Sequence, residues 1–314
     1  SRYPGGSVST NQERRAEARQ RLREQMEAQA RREKQLKIGA AAVVAVVLLG
    51  IVGIVVWNKA EQARAEEYAA NWLTCEYPED TSTPEKVDPE EFKEDGPEVM
   101  AEAKRYNERI DTIADTKREG QSPTGDQPRR GTAAVTIDTN SGEIPLTLDR
   151  ADAPCNVASF VSLAEQKFFD ETECHRLTVA EEGASLSVLQ CGDPTATGLS
   201  GPGYSVVDEP PTDLAVAEDG SGMTVYPRGT VAMAKSQTPN SAGSQFFLVY
   251  EDSTIPPEYS VMGTVDESGL EVLDKIADAG IKSNEPGDAD YQQPTKPVEI
   301  EKVTVGAQEG LPEA

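Results

Sequence analysis

The sequence predicts a mainly β protein. An antiparallel sheet of about eight strands closes into a barrel with two helices, preceded by a basic helix, one transmembrane helix and a helical, acidic tether. Three observations predict it. Beyond Thr132, short apolar runs alternate with Gly, Asn, Pro and Ser turns, the texture of short strands joined by tight connections. Ile38 to Trp57 is a run of twenty residues without a charge, and at about 1.5 Å per residue a helix of that length spans the roughly 30 Å of a bilayer's hydrocarbon layer. Charge is also split along the chain. The first 37 residues hold ten Lys and Arg against five Glu, a net of +5, whereas all 314 residues together carry −25.

Taken in order, residues 1–10 are rich in Gly and Ser and are expected to lack regular structure. Asn11 to Lys37 is built from Ala, Glu, Gln, Arg and Lys, good helix formers with i,i+4 pairs such as Glu17–Arg21 and Glu27–Arg31. Too few apolar residues occur there for a core stripe, so residues 1–37 read as a solvated cytoplasmic helix running into the span 38–57. A buried helix of that length would be expected to carry a polar face, and a cleaved signal peptide normally has a shorter apolar region, about 7–15 residues.

Basic residues cluster before the span and acids soon follow it, with only Lys59 and Arg64 nearby. The excess of Lys and Arg orients the chain with residues 1–37 in the cytoplasm and 58–314 outside it, and Trp57 suits the outer interface. The outer part is strongly acidic, which argues against a nucleic-acid partner, since phosphate binding needs a basic surface. All four cysteines, Cys75, Cys155, Cys174 and Cys191, lie beyond the span, where disulfides persist; buried free thiols are the alternative. No C-x-x-C occurs and His175 is the only histidine, so no metal and no cofactor are expected.

The tether, 58–131, is expected to continue helically to Leu73 and to cross an acidic, Pro-containing connector, Tyr77 to Pro97. A helix from Glu98 to Lys117 follows, with Val99, Tyr106, Ile110 and Ile113 near helical spacing, then a linker from Gln121 to Gly131. The domain 132–306 opens on a hairpin, Ala133–Ile137 and Ile144–Leu148 around Thr139-Asn140-Ser141-Gly142. A helix starts at Pro154 and runs through Gln166 on the apolar face of Val157, Phe160, Val161 and Leu163. Strands are expected at Glu173–Leu177 and Ser187–Gln190, then a glycine-rich loop from Gly192 to Tyr204. Further strands follow at Thr230–Ala234, Gln245–Tyr250 and Tyr259–Val265, a helix at Leu270–Ala279 and a last strand at Val298–Val305, before a tail, 307–314. Because side chains alternate along a strand, one of Phe246 and Phe247 enters a core while the other lines a surface.

Several motifs then occur in one order: FVSLAEQKFFD, His175-Arg176, Gln190 with GDPTATGLSGPGY, the stretch from Tyr226 to Tyr250 with GTVAMA and GSQFF, and VMGTV. This series resembles the cyclophilins, a family of peptidyl-prolyl isomerases, and covers residues 132 to 306. The surroundings of the cysteines are most similar to the membrane-anchored cyclophilins of actinobacteria. The resemblance implies a cyclophilin-like eight-stranded barrel acting on proline-containing polypeptides.

Such chemistry needs little apparatus. Rotation about an Xaa-Pro bond meets a barrier of about 18–20 kcal/mol because amide resonance is lost halfway. At that point the proline nitrogen regains a lone pair, so one fixed hydrogen-bond donor favours the twisted state over either planar one. The resemblance assigns this donor to Arg176, whose guanidinium never loses its proton. It places Gln190, Ala234 and Gln245 beside the substrate backbone, and Phe247, Val188, Ile255 and Tyr259 around the proline ring. Lys235 stands at a further binding position. Departures from the family pattern are Ser187, Val188, Lys235, Ser236 and Thr254, together with a longer 178–186 segment that adds Glu181 and Glu182 at the rim. Smaller wall residues imply slower catalysis and weak affinity for cyclosporin-like ligands. The resemblance also implies disulfides Cys174–Cys191 and Cys75–Cys155. The expected function is a single-pass cell-membrane isomerase assisting the folding of exported or membrane proteins. The alternative is a catalytically weak cyclophilin-like subunit of a multi-subunit envelope assembly such as a respiratory membrane complex.

Overall fold

The computed structural model describes residues 11–179, 186–282 and 292–313. Residues 1–10, and Glu181 and Glu182 of the 178–186 segment, lie outside the described residues. Helix α1 (Asn11–Asn71) is one continuous helix of 61 residues, so the basic segment, the apolar run and most of the expected continuation are a single element. None of its residues is buried, and its Val, Leu and Ile side chains are exposed along the apolar run. Tertiary contacts divide the chain into Ser1–Tyr68 and Ala69–Ala314.

Two short strands replace what the sequence reads as helix end and linker. Strand β1 (Trp72–Thr74) pairs antiparallel with β2 (Asp126–Pro128), Leu73 lying opposite Gln127. Neither three-residue segment carries a strand pattern of its own; order comes from their mutual pairing. Between them lie a 3-10 turn, Pro89–Phe92, and helix α2 (Pro97–Thr116), which starts on Pro97 and buries Ala103.

Strands β3 (Thr132–Thr139) and β4 (Gly142–Asp149) form the expected hairpin around Asn140 and Ser141. Alternation drives Ala133, Val135, Ile137, Ile144, Leu146 and Leu148 into the core. Helix α3 (Pro154–Glu165) is followed by β5 (Thr172–Cys174), β6 (Arg176–Leu177), β7 (Ser187–Cys191), β8 (Thr224–Tyr226), β9 (Thr230–Met233), β10 (Phe246–Glu251), β11 (Ser253–Ile255) and β12 (Val261–Val265). Helix α4 (Glu267–Asp278) and β13 (Val298–Glu309) complete the chain.

The main sheet is antiparallel throughout, in the order β5-β13-β3-β4-β12-β9-β10-β7-β6. Its two end strands are consecutive in the chain, separated only by His175. The ring therefore closes on itself, and the nine segments amount to an eight-stranded barrel whose closing strand bends at His175. The sequence reads 173–177 as one unbroken strand; it breaks because β5 pairs with β13 while β6 pairs with β7. A disulfide from Cys174, at the end of β5, to Cys191, at the end of β7, ties this seam, with Cα atoms 4.0 Å apart.

Strands β8 and β11 form a separate two-stranded sheet that the sequence does not announce. The last strand runs four residues past Val305, since β3 keeps pairing with it to Thr132 across an irregularity between Val305 and Gln308. Inside the barrel Phe160 of α3 packs on Phe169 and Phe246, with ring centroids 5.0 and 5.1 Å away.

Candidate active site

Cross-strand register explains how scattered residues converge. Arg176 lies opposite Gln190, Gln190 opposite Phe247, and Phe247 opposite Ala232, so the four form one row across β6, β7, β10 and β9. Residues directly opposite one another share a face. The neighbouring row, Leu177, Leu189, Leu248 and Val231, points into the barrel core. The Arg176 row therefore occupies the outer face of the barrel wall. Phe246 is fully buried inside, whereas Phe247 keeps 5% exposure in a second, smaller apolar cluster.

That cluster forms a shallow apolar floor. Val188, Tyr226, Ala232, Phe247 and Val249 are its buried members, and Ala234, Ile255 and Tyr259 pack against them half-buried. The Tyr259 ring stands edge-on to Phe247 at 5.5 Å. Beside the floor runs a polar line: Arg176 Nη1 donates to Gln190 Oε1 at 3.4 Å, and Gln190 Nε2 donates to Gln245 Oε1 at 2.9 Å. Gln245 Nε2 in turn donates to the Ser200 carbonyl at 3.0 Å. Each amide is oriented by the next, which leaves the guanidinium held at the edge of the apolar floor.

Of the sequence-predicted residues, Arg176, Gln190, Gln245, Val188, Ala234, Phe247, Ile255 and Tyr259 come together here. Lys235 does not join the polar line. Its side chain is only 6% exposed, and its ammonium pairs with Asp208 at 3.1 Å and Glu258 at 3.6 Å. Ser187 is buried, and its N–H donates to Ser253 Oγ at 2.9 Å. Cys75 and Cys155 form the second disulfide, Cα atoms 5.6 Å apart.

Three further residues support the site without belonging to its predicted side chains. Tyr226 is fully buried beneath the floor; its hydroxyl donates to the Tyr259 carbonyl and accepts from the Tyr259 N–H, each at 3.2 Å, which fixes the aromatic wall. Burial pushes that hydroxyl up to about 12. His175 lies next to Arg176 in the chain and is buried, 2% exposed. Burial pushes its imidazole down to about 4, against the pull of Asp193 and with further push from Arg176 and Arg109. A neutral His175 therefore adds no second positive charge beside the guanidinium.

Glu209 is the third. Helix α3 has no capping side chain at Ala153, and the Glu209 carboxylate accepts instead from the N–H groups of Cys155 and Asn156, at 3.1 and 3.0 Å. Burial raises its pKa although these hydrogen bonds oppose it. Of the three, His175 was legible in the sequence, as the only histidine and as a residue that alternation with Arg176 assigns a structural rather than a catalytic role, whereas Glu209 gave no signal.

The arrangement can therefore hold a small apolar ring on Phe247, present a permanent cation beside it and orient a peptide along two amides. A family model described as cyclophilin type peptidyl-prolyl cis-trans isomerase matches residues 134–305. The chain is 50% identical over 168 residues to a probable peptidyl-prolyl cis-trans isomerase B of Mycobacterium leprae, covering 53% of this chain and 54% of that protein. It is 36% identical over 152 residues to a peptidyl-prolyl cis-trans isomerase of Helicobacter pylori, covering 48% of this chain and 83% of that one. A Cryptosporidium parvum cyclophilin structure aligns with a TM-score of 0.44 at 24% identity, over 56% of this chain and 98% of that one. The chain spans about half the length of the mycobacterial relatives it matches. With a closed eight-stranded barrel, an outer-wall row of Arg, Gln and Phe, and a family model over more than half its length, this chain belongs to the cyclophilin-type peptidyl-prolyl cis-trans isomerase family.

Proposed function

We propose that the protein is a peptidyl-prolyl cis-trans isomerase held at the outer side of a membrane by α1, with exported or membrane polypeptides as its clients. The row Arg176, Gln190 and Phe247 carries this reading. The substrate proline packs on Phe247 between Val188, Ile255 and Tyr259, while Gln190, Gln245 and main-chain groups near Ala234 hold the flanking backbone. As the Xaa-Pro bond twists, the proline nitrogen becomes pyramidal and gains a lone pair, and Arg176 donates a hydrogen bond to it that the planar ground states cannot accept. No bond forms or breaks and no proton leaves the enzyme.

Lys235, a departure from the family pattern, supports rather than weakens this reading, because its charge is spent on Asp208 and Glu258 and is withdrawn from the floor. The location rests on the apolar run of α1 and on two disulfides, which persist outside the reducing cytoplasm.

The test is an Xaa-Pro isomerisation assay on the full chain in detergent. Arg176→Ala is expected to lower kcat about a hundredfold, the scale seen when one preorganised donor is removed. Phe247→Ala is expected to raise KM instead. Wild-type turnover by Arg176→Ala would overturn the mechanism.

A further inference from the structure

We infer that the tether before the barrel is a working part of the site: it clamps the loop 199–205 that holds Gln245, and through Gln245 it positions Gln190 and Arg176. This rests on the isomerase reading above.

The loop has a near side and a far side. On the near side the Ser200 carbonyl accepts from Gln245 Nε2, the last link of the polar line. On the far side nearly every main-chain partner comes from the tether. Gly120 N donates to the Pro202 carbonyl at 2.9 Å, Asp80 N donates to the Gly203 carbonyl at 3.0 Å, and Ser205 N donates to the Pro78 carbonyl at 2.9 Å. Glu79 bridges to Tyr204 as in an antiparallel pair, and the Tyr77 ring stands edge-on to the Tyr204 ring at 5.7 Å. The barrel domain holds the loop mainly at its start and through one side chain: Leu199 N–H donates to Thr197 Oγ1 and Ser200 N–H to the Asp193 carboxylate, each at 3.1 Å, and Ser159 Oγ is hydrogen-bonded to Tyr204 Oη at 2.8 Å.

The loop needs such a clamp. It contains Gly201 and Gly203, with Gly203 at φ +85°, and glycine loses more conformational freedom on ordering than any other residue. A loop free to sample would move the Ser200 carbonyl, release the Gln245 amide, and let Gln190 turn its oxygen away from the guanidinium.

The tether in turn is fixed to the barrel at several places. The Cys75–Cys155 disulfide fastens it at the start of α3, where Tyr77 Oη also donates to the Cys155 carbonyl at 3.0 Å. Arg118 Nη1 donates to the carbonyls of Phe168 and Asp170 at 2.9 and 2.6 Å. Gly120 lies so close that a Cβ there would sit 2.3 Å from Leu163 Cδ2 and 3.2 Å from Pro202 Cβ. Tyr77, Asp80 and Gly120 are thus positioning residues, acting on the reaction through Gln245.

The experiment uses the full chain in detergent, comparing wild type with Cys75→Ser/Cys155→Ser and, separately, Gly120→Ala, each with and without Gln245→Ala. In the otherwise wild-type chain both tether variants are expected to lower kcat about tenfold with little change in KM, because the donor acts only on the twisted state. In the Gln245→Ala background the same changes are expected to cost no further turnover, whereas a general loss of stability would cost the same in both. Amide hydrogen exchange across 199–205 is read on the same proteins and is expected to rise in the tether variants whatever their turnover. Unchanged kcat, equal losses in both backgrounds, or unchanged exchange in the loop would each overturn the clamp. A wild-type chain without isomerase activity overturns the isomerase reading instead, and the exchange measurement still decides whether the tether orders the loop.

Discussion

His175 and Arg176 show how one strand serves two environments. Period two sends the guanidinium to the outer face and the imidazole inward, where burial holds it neutral. The sign of the resulting pH effect follows from linkage. The folded pKa, about 4, lies below the ordinary histidine value of about 6.5, so the unfolded chain binds the proton first. Stability attributable to this residue is complete above pH 6.5 and is expected to fall by about 1 kcal/mol per unit as pH drops toward 4, then level off. Urea melts of wild type and His175→Gln between pH 7 and 4 check this; the slope should flatten in the variant, and identical slopes would refute the assignment. Arg176, Gln190, Gln245 and Phe247 were legible in the sequence because they sit in ordered motifs. Tyr226 and Glu209 were not, since their roles depend on the Tyr259 backbone and the α3 N-terminus, which lie far from them in the chain.

At the scale of elements, the hairpin β3–β4 and helices α3 and α4 were legible because their apolar periodicity is local. Helix α4 nevertheless begins at Glu267 rather than Leu270, the Asp266 carbonyl accepting from the N–H groups of Gly269 and Leu270. Strands β1, β2, β8 and β11 were not legible: three residues are too few to show a period, and each is defined by its partner. The turn after β7 shows where the backbone constrains a residue outright. Gly192 has φ +92°, and a Cβ there would stand 2.3 Å from the Ser244 carbonyl oxygen, because β7 leaves the sheet directly against the entry to β10. Gly192→Ala is expected to destabilise the fold by about 2 kcal/mol or more, and thermal melts should show a drop of roughly 4–8 °C. An unchanged melting temperature would contradict the close approach.

For the whole molecule, two features that look separable in the sequence prove to be different in kind. The apolar run of α1 buries nothing in the structure and is long and apolar enough to cross a bilayer, the environment proposed for it above. Membranes carrying the full chain are expected to retain it through an alkaline wash and release it to detergent. Protease added from outside should reach the tether and barrel while sparing residues 1–37. Release by alkali, or a protected barrel, would contradict the proposed anchoring and orientation. The tether, by contrast, folds against the barrel through Cys75–Cys155, Arg118 and Gly120 rather than serving as a spacer.

By itself the sequence determined the barrel class, the apolar span and the family, and it named the side chains that the fold then brings into one row, because each is written in local periodicity or in contiguous motifs. Only the tertiary structure decided that the closing strand breaks at His175, that Lys235 is withdrawn into ion pairs, and that the tether reaches the loop beneath Gln245. These are set by pairings between residues distant in the chain, and such pairings leave no local pattern from which they could be read.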